Sequence, residues 1–392
     1  MKHLASLDRD ALRAALGEAG AEGWFLFEFK GMNPVSLRML GITAGTRRLF
    51  VYLPKDGELV AIAHRIEQDQ IRGFPGRVVL YSRWQELEAA IREVVAGRTI
   101  AMEVSAHNAV PYLDRVPWGM VELIRSLGAT VVSSAPLITA FTARWSTEEA
   151  ADHIAAAEIL SRVAQRVIRD VIRRGEAVTE SAVQARVVRE LTDEGLWVDP
   201  DHMLPIVGFG PNAANPHYSP IPGQDRTLAP GEVVLVDLFA ARSDHTVAAD
   251  QTWMGFNGAD PPEEVRTVWT VVRDARDAAL AEVWGRAAAG RPIMGYEVDQ
   301  VARGVIERAG YGAYFVHRTG HSIDRDLHGS GPHLDDYETR DDRVIVPGVG
   351  FSVEPGIYLT GRFGVRSEVN VYWSPGGPQV TPAEPQRELI LP

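Results

Sequence analysis

Two stretches of this chain repeat one pattern. Ala229-Pro230-Gly231 leads into the apolar run Val233-Val234-Leu235-Val236 and then Asp237; Val346-Pro347-Gly348 leads into Val349-Gly350-Phe351-Ser352-Val353 and then Glu354. In each copy the carboxylate lies seven residues beyond the proline. A Pro-Gly turn feeding an apolar run predicts a strand entered from a tight turn. Helical periodicity precedes both copies, over residues 147–174 and 180–194 before the first and 263–286 and 296–308 before the second. Two helix–helix–strand–strand units would bring their equivalent carboxylates to one central cleft, so the echo suggests a duplicated domain.

Ahead of it, residues 1–140 alternate helix and strand. An amphipathic helix over 7–18 precedes an aromatic strand at 24–27. Strands at 49–53 and 59–63 face each other across Pro54-Lys55-Asp56-Gly57, a turn-forming loop. Helices over 84–95 and 121–127 alternate with strands at 99–104 and 129–132. Ser146 followed by Glu149 is a capping box, and a loop at Gly175 divides the first two helices after it. The expected class is α/β (α+β), with an α/β domain over 1–144 and the duplicated domain over 145–392.

Composition narrows the chemistry. With no cysteine among 392 residues, disulfides, thiolate zinc sites and cysteine nucleophiles are excluded. A net charge of −12 argues against a general nucleic-acid or anionic-membrane binder. No window reaches the apolar length of a bilayer span and the amino terminus has no signal-like core, so a cytoplasmic location is expected.

Asp237 interrupts a buried-looking strand, where a carboxylate is costly unless paired or metal-bound. Asp250 heads a second strand after the polar hairpin Arg242-Ser243-Asp244-His245, and paired strands would hold the two acids face to face. His317, His321 and His328 cluster around glycines. Glu354 opens a Glu-Pro-Gly turn, and alternation puts Arg366, Glu368 and Asn370 on one face. Two Asp, one His and two Glu form a ligand set that favours Mn²⁺, with Zn²⁺ or Co²⁺ as alternatives, and carries enough charge for two divalent ions. The P-loop, His-Glu-x-x-His and Gly-x-Ser-x-Gly motifs are absent.

On these residues the sequence resembles the pita-bread metallopeptidases, in their proline-peptidase branch of prolidases and Xaa-Pro aminopeptidases. The matching segments are Asn212 to Tyr218; Asp237 with Asp250-Gln251-Thr252; Gly320-His321-Ser322-Ile323 with His328; Glu354-Pro355-Gly356-Ile357-Tyr358; and Val365-Arg366-Ser367-Glu368. The resemblance is close over 145–392 and looser over 1–140, which is similar to the amino-terminal domain of prolidases and creatinases. It implies a carboxy-terminal pita-bread domain holding two metals, with Asp250 and Glu368 bridging, Asp237 completing one site, and His321 and Glu354 the other. It further implies proton transfer by Glu354, hydrogen bonds from His328 and His217 to substrate and oxyanion, and a proline pocket walled by His317 and Arg366. Arg362 is the candidate for a dipeptide's carboxylate. The implied substrates are Xaa-Pro dipeptides or, alternatively, longer Xaa-Pro peptides, cut by a homodimer. A metal-free creatinase-like hydrolase and a non-catalytic binding protein are the competing readings. Three departures stand out. The Asp237–Asp250 spacing is longer than usual, making Asp244 a rival ligand; Ser322 and Asp324 replace glycines; and Trp253 stands where many relatives have arginine.

Overall fold

The computed structural model describes residues 1–174, 178–199 and 204–392; the loop expected at Gly175 lies outside the described residues. Two compact units are present, Met1–Thr142 and Ala143–Pro392, against an expected division after residue 144.

The first unit is a mixed sheet of β1 (Gly23–Glu28), β2 (Leu49–Pro54), β3 (Val60–His64), β4 (Arg77–Tyr81), β5 (Thr99–Met102) and β6 (Thr130–Ser133), in the order β4-β3-β2-β1-β5-β6. The expected hairpin is β2–β3, with Val51 opposite Ala61. Trp24 and Leu26 of β1 pack against α1 (Arg9–Ala19), α2 (Pro34–Leu40) and the short α5 (Ala135–Ile138). Phe25 and Phe27 pack on the other face, against α3 (Trp84–Val95) and α4 (Trp118–Ser126). A strand covered on both faces has no reason to alternate with polar residues, which explains the unbroken aromatic run. The sequence reading missed β4 because it is an edge strand with Arg77 and Val78 exposed.

The second unit begins at the predicted capping box: Glu149 N–H donates to Ser146 Oγ at 3.1 Å and Ser146 N–H to Glu149 Oε2 at 2.8 Å. Helices α6 (Thr147–Arg174) and α7 (Glu180–Asp193) precede the antiparallel sheet of β7 (Ile206–Phe209), β8 (Val233–Ala240) and β9 (Ala249–Phe256). Helices α8 (Glu263–Ala288) and α9 (Gly295–Arg308) precede the sheet β10-β11-β14-β15, formed by Ser322–Ile323, Gly350–Val353, Val369–Ser374 and Gly377–Thr381. A two-stranded hairpin, β12 (Gly356–Leu359) and β13 (Phe363–Arg366), is inserted between β11 and β14. The echo read from the sequence is thus a repeated helix pair followed by an antiparallel strand pair, β8–β9 in one half and β11–β14 in the other.

Alternation along β8 and β9 sets up the centre. Val234, Val236 and Leu238, with Ala249 and Trp253, pack under α6 and α7. Val233 and Leu235, with Met254 and Phe256, join the core shared with α8, α9, β11 and β14. Asp237, Asp250 and Thr252 belong by parity to this inner face. Trp253 therefore sits among the helices, its Nε1–H donating to Gln251 Oε1 at 2.9 Å. Among the described residues no helix is long and apolar enough to cross a membrane.

His153 of α6 is buried beside Trp145. Its Nδ1 lies 2.8 Å from Ala248 O, just ahead of β9, and its Nε2 2.9 Å from Thr381 Oγ1 of β15. Burial pushes the imidazole down to about 4. The unfolded chain therefore takes up the proton first as pH falls, so this contribution is present above pH ~6.5 and lost between there and about 4. Its size is on the order of 3 kcal/mol. In His153→Gln the fall of Tm between pH 6.5 and 4 should be shallower than in the parent; an identical slope would assign that acid sensitivity elsewhere.

Candidate metal centre

Asp237 stands opposite Thr252, and Asp250 opposite Phe239, on paired strands β8 and β9. The other half supplies His321 just before β10, Glu354 just after β11 and Glu368 just before β14. The two halves are stitched at this point. Asp250 N–H donates to Asn370 Oδ1 at 2.8 Å, and Glu368 N–H to Thr252 O at 3.4 Å.

The side chains converge. Ligand-type atoms of Asp250, His321 and Glu368 all lie within 4.8 Å of one another. His321 Nε2 is 3.4 Å from Asp250 Oδ2 and 3.5 Å from Glu354 Oε1. His321 Nδ1 is 3.1 Å from Ser322 O. A carbonyl only accepts, so Nδ1 carries the proton and Nε2 turns a lone pair toward the acids, the tautomer a metal-binding imidazole needs. Ser352 Oγ accepts from His321 N–H at 2.9 Å and donates to Glu354 Oε1 at 3.1 Å, setting the histidine and the acid against each other.

Burial raises the Asp250 carboxyl well above the usual range, and Asp237 adds to it. Burial does the same to Glu368, reinforced by Asp250 and Glu354, and raises Glu354 as well. Asp250 Oδ1 and Glu368 Oε1 are buried with no hydrogen-bond partner among the described residues. Orphaned carboxylate oxygens of this kind are costly. Acids that crowd one another with unused lone pairs, next to an imidazole lone pair, fit divalent cations.

One acid has a protein counter-ion. Arg366, buried, donates through Nη2 to Asp237 Oδ2 at 2.5 Å and through Nε to Thr252 Oγ1 at 2.8 Å. The Thr252 hydroxyl lies 2.9 Å from Glu368 Oε2 and 3.1 Å from Asp237 Oδ1. The sequence marked Thr252 only as part of Asp-x-Thr; its place between two carboxylates becomes visible only in the folded chain.

The cluster forms the floor of a cavity of about 700 Å³ that is also lined by His217, His317, His328, Arg318 and Arg366. The His328 ring stands edge-on over His321, centroids 4.4 Å apart. His317 Nδ1 is 2.6 Å from Arg318 O, and its Nε2 accepts from the Tyr358 hydroxyl at 2.8 Å. Burial and Arg366 push the His317 imidazole down to about 3, so the ring is neutral. Tyr358 was part of a matched segment without a role; its partner lies in a distant loop, which no local spacing reveals.

One expectation changes, and a rival ligand falls away. Arg362 is outside the cavity lining, half-exposed and paired with Glu264 across the surface. The rival ligand Asp244 is exposed at the β8–β9 connection beside His245, at 3.4 Å, while Asp250 is buried with the other acids. Of the departures, Trp253 packs beneath α6 and α7, away from the cavity. Asp324 organises the loop of His328 by accepting from Asp326 N–H, Ser330 N–H and Ser330 Oγ–H at 2.8–3.0 Å.

The model of Metallopeptidase family M24 matches residues 152–374. The Xaa-Pro dipeptidase of Lactobacillus helveticus is 36% identical over 205 residues, 51% of this chain and 49% of that protein; the match thus spans about half the length of such relatives. A prolidase structure from Thermococcus sibiricus aligns over 99% of both chains with a TM-score of 0.64 and 28% identity. The dipeptidase PepE structure from Mycobacterium ulcerans aligns over 98% of this chain and 96% of that one, with a TM-score of 0.70 and 25% identity.

Proposed function

The chain belongs to metallopeptidase family M24, and from that premise we propose that it hydrolyses the peptide bond before proline in Xaa-Pro dipeptides. The observation that carries this reading is the set of crowded, partly orphaned buried carboxylates at the floor of an imidazole-walled cavity. Asp237, Asp250, His321, Glu354 and Glu368 would together hold the divalent ions, the donor set being four carboxylates and one imidazole. Hard oxygen donors with one imidazole favour Mn²⁺ over Zn²⁺ or Co²⁺. Such ions, when bound, supply Lewis acidity and a water acidic enough to ionise near neutral pH.

The remaining work falls to the chain's own groups. Glu354 is the one acid of the cluster that is only partly buried. Its raised carboxyl suits it to accept a proton and return it to the departing proline nitrogen. His217 and His328 donate to the carbonyl oxygen as charge develops on it. Arg366 fixes Asp237 and, with neutral His317, walls the proline subsite.

Proline release from an Xaa-Pro dipeptide and from an Xaa-Pro-Xaa tripeptide, before chelation, after it and after return of Mn²⁺, tests the reading. Dipeptide cleavage that disappears with chelation and returns with Mn²⁺ is expected. Preference for the tripeptide favours an Xaa-Pro aminopeptidase, and activity that survives thorough chelation favours a metal-free hydrolase.

A further inference from the structure

Glu180, at the first turn of α7, is fully buried and far in sequence from every acid assigned to metal. All described hydrogen-bond partners of its carboxylate are donors from one segment, residues 209–226. Oε1 accepts from Phe209 N–H at 2.7 Å and from Asn212 Nδ2 at 3.1 Å. Oε2 accepts from Asn212 Nδ2 at 2.9 Å, the Tyr218 hydroxyl at 2.7 Å and Arg226 N–H at 3.0 Å. The segment leaves β7 at Phe209 and returns beside α7 at Arg226, so one carboxylate holds both ends and the middle.

That segment carries His217 and supplies one side of the cavity through Asn215, Pro216, His217 and Tyr218. The His217 ring is exposed, so its position in the cavity follows the backbone beneath it. The adjoining backbone is tied at two points: His217 N–H donates to Asn215 Oδ1 at 3.2 Å, and Arg366 Nη1 donates to Pro216 O at 3.3 Å. Tyr218, the next residue, is tied to Glu180. The fit to the neighbouring hairpin is close, since a Cβ on Gly364 of β13 would meet Ala213 O at 2.0 Å.

We infer that Glu180 is a positioning residue for the reaction. Its carboxylate clamps the 209–226 segment and thereby places His217 over the metal-binding acids. Only a carboxylate suits the site. Every partner donates, so a glutamine would turn its NH₂ toward at least one N–H or O–H and free part of the clamp. The inference rests on the peptidase reading of the cavity and deepens it, adding a residue that never touches substrate. A displacement of about 1 Å at a group that stabilises a transition state can cost up to about a hundredfold in rate, and the loss appears in kcat more than in KM.

The test combines turnover with amide hydrogen exchange on the full chain carrying Mn²⁺. Glu180→Gln should lower kcat on an Xaa-Pro dipeptide about tenfold or more, with KM within about twofold and metal content unchanged. Tyr218→Phe, which removes a single bond of the clamp, should lower kcat about threefold and carries the test if Glu180→Gln does not fold. In a His217→Ala background both effects should vanish, since coupled residues are non-additive. Phe209 and Arg226 amides should exchange faster in Glu180→Gln. Full activity in the folded Glu180→Gln or Tyr218→Phe variant, or equal losses with and without His217, would overturn the inference. Should the parent protein cleave no Xaa-Pro peptide, the peptidase reading fails on its own, while unchanged exchange at Phe209 and Arg226 would still refute the clamp.

Discussion

Glu354→Gln is expected to lower kcat on Xaa-Pro dipeptides by about a thousandfold, the scale of losing a positioned acid–base group. It should leave most of the bound metal in place. The side chain sits against His321 and accepts from Ser352. An amide keeps that volume and one oxygen, so the pocket geometry survives while the titratable proton does not. Metal analysis alongside steady-state kinetics separates the roles: loss of both ions would make Glu354 chiefly a ligand, and near-parental turnover would remove it from the proton path.

Asp250→Asn should act in opposite directions on the metal-free and metal-loaded protein. Without cations, burial first and then repulsion from Asp237 raise the Asp250 carboxyl, and Asp250 in turn raises that of Glu368. Each pKa unit of such a rise corresponds to about 1.4 kcal/mol. The metal-free variant should therefore melt above the metal-free parent, by about 2–4 °C per kcal/mol for a domain of this size. With Mn²⁺ present the order should reverse if Asp250 is the ligand proposed above, because the variant then loses part of the ligand-linked gain in stability. Changes to groups that merely orient a metal ligand cost about 10–100-fold in affinity or activity, so replacing a carboxylate that itself faces the cation should cost more than about a hundredfold in activity. Melting curves with and without chelator decide it: a metal-free variant less stable than its parent would mean that Asp250 is not under repulsion.

Much of this arrangement was legible in the residues. Helices α6 and α8 declared themselves by periodicity and, for α6, by the Ser146–Glu149 cap, because those signals are local. The repeated Pro-Gly-strand-acid pattern exposed the two halves, because a carboxylate within or straight after a buried strand is unusual wherever it occurs. The hairpin β12–β13 went unread, since its residues pair with one another inside an insertion and add no periodic signal of their own. Arg362 looked placed for a substrate carboxylate by its nearness in sequence to Glu354 and Glu368, and the turn of that hairpin carries it to Glu264 instead. Glu180 resembled any acid in a helix's first turn, favourable there through the helix dipole alone; five hydrogen bonds from a segment beginning 29 residues later are a property of the closed fold.

Hydrogen bonds donated by backbone N–H groups stitch β9 to the β13–β14 region across the two halves. Asp237 and Asp250 come from one half of the second unit, and His321, Glu354 and Glu368 from the other, so neither half alone has the full set. Any opening along this seam would dismantle the proposed ligand set at once. Ion release and local unfolding should then share one rate: the Asp250 and Glu368 amides, bonded across the seam, should open together, and their exchange should slow in concert when cations bind.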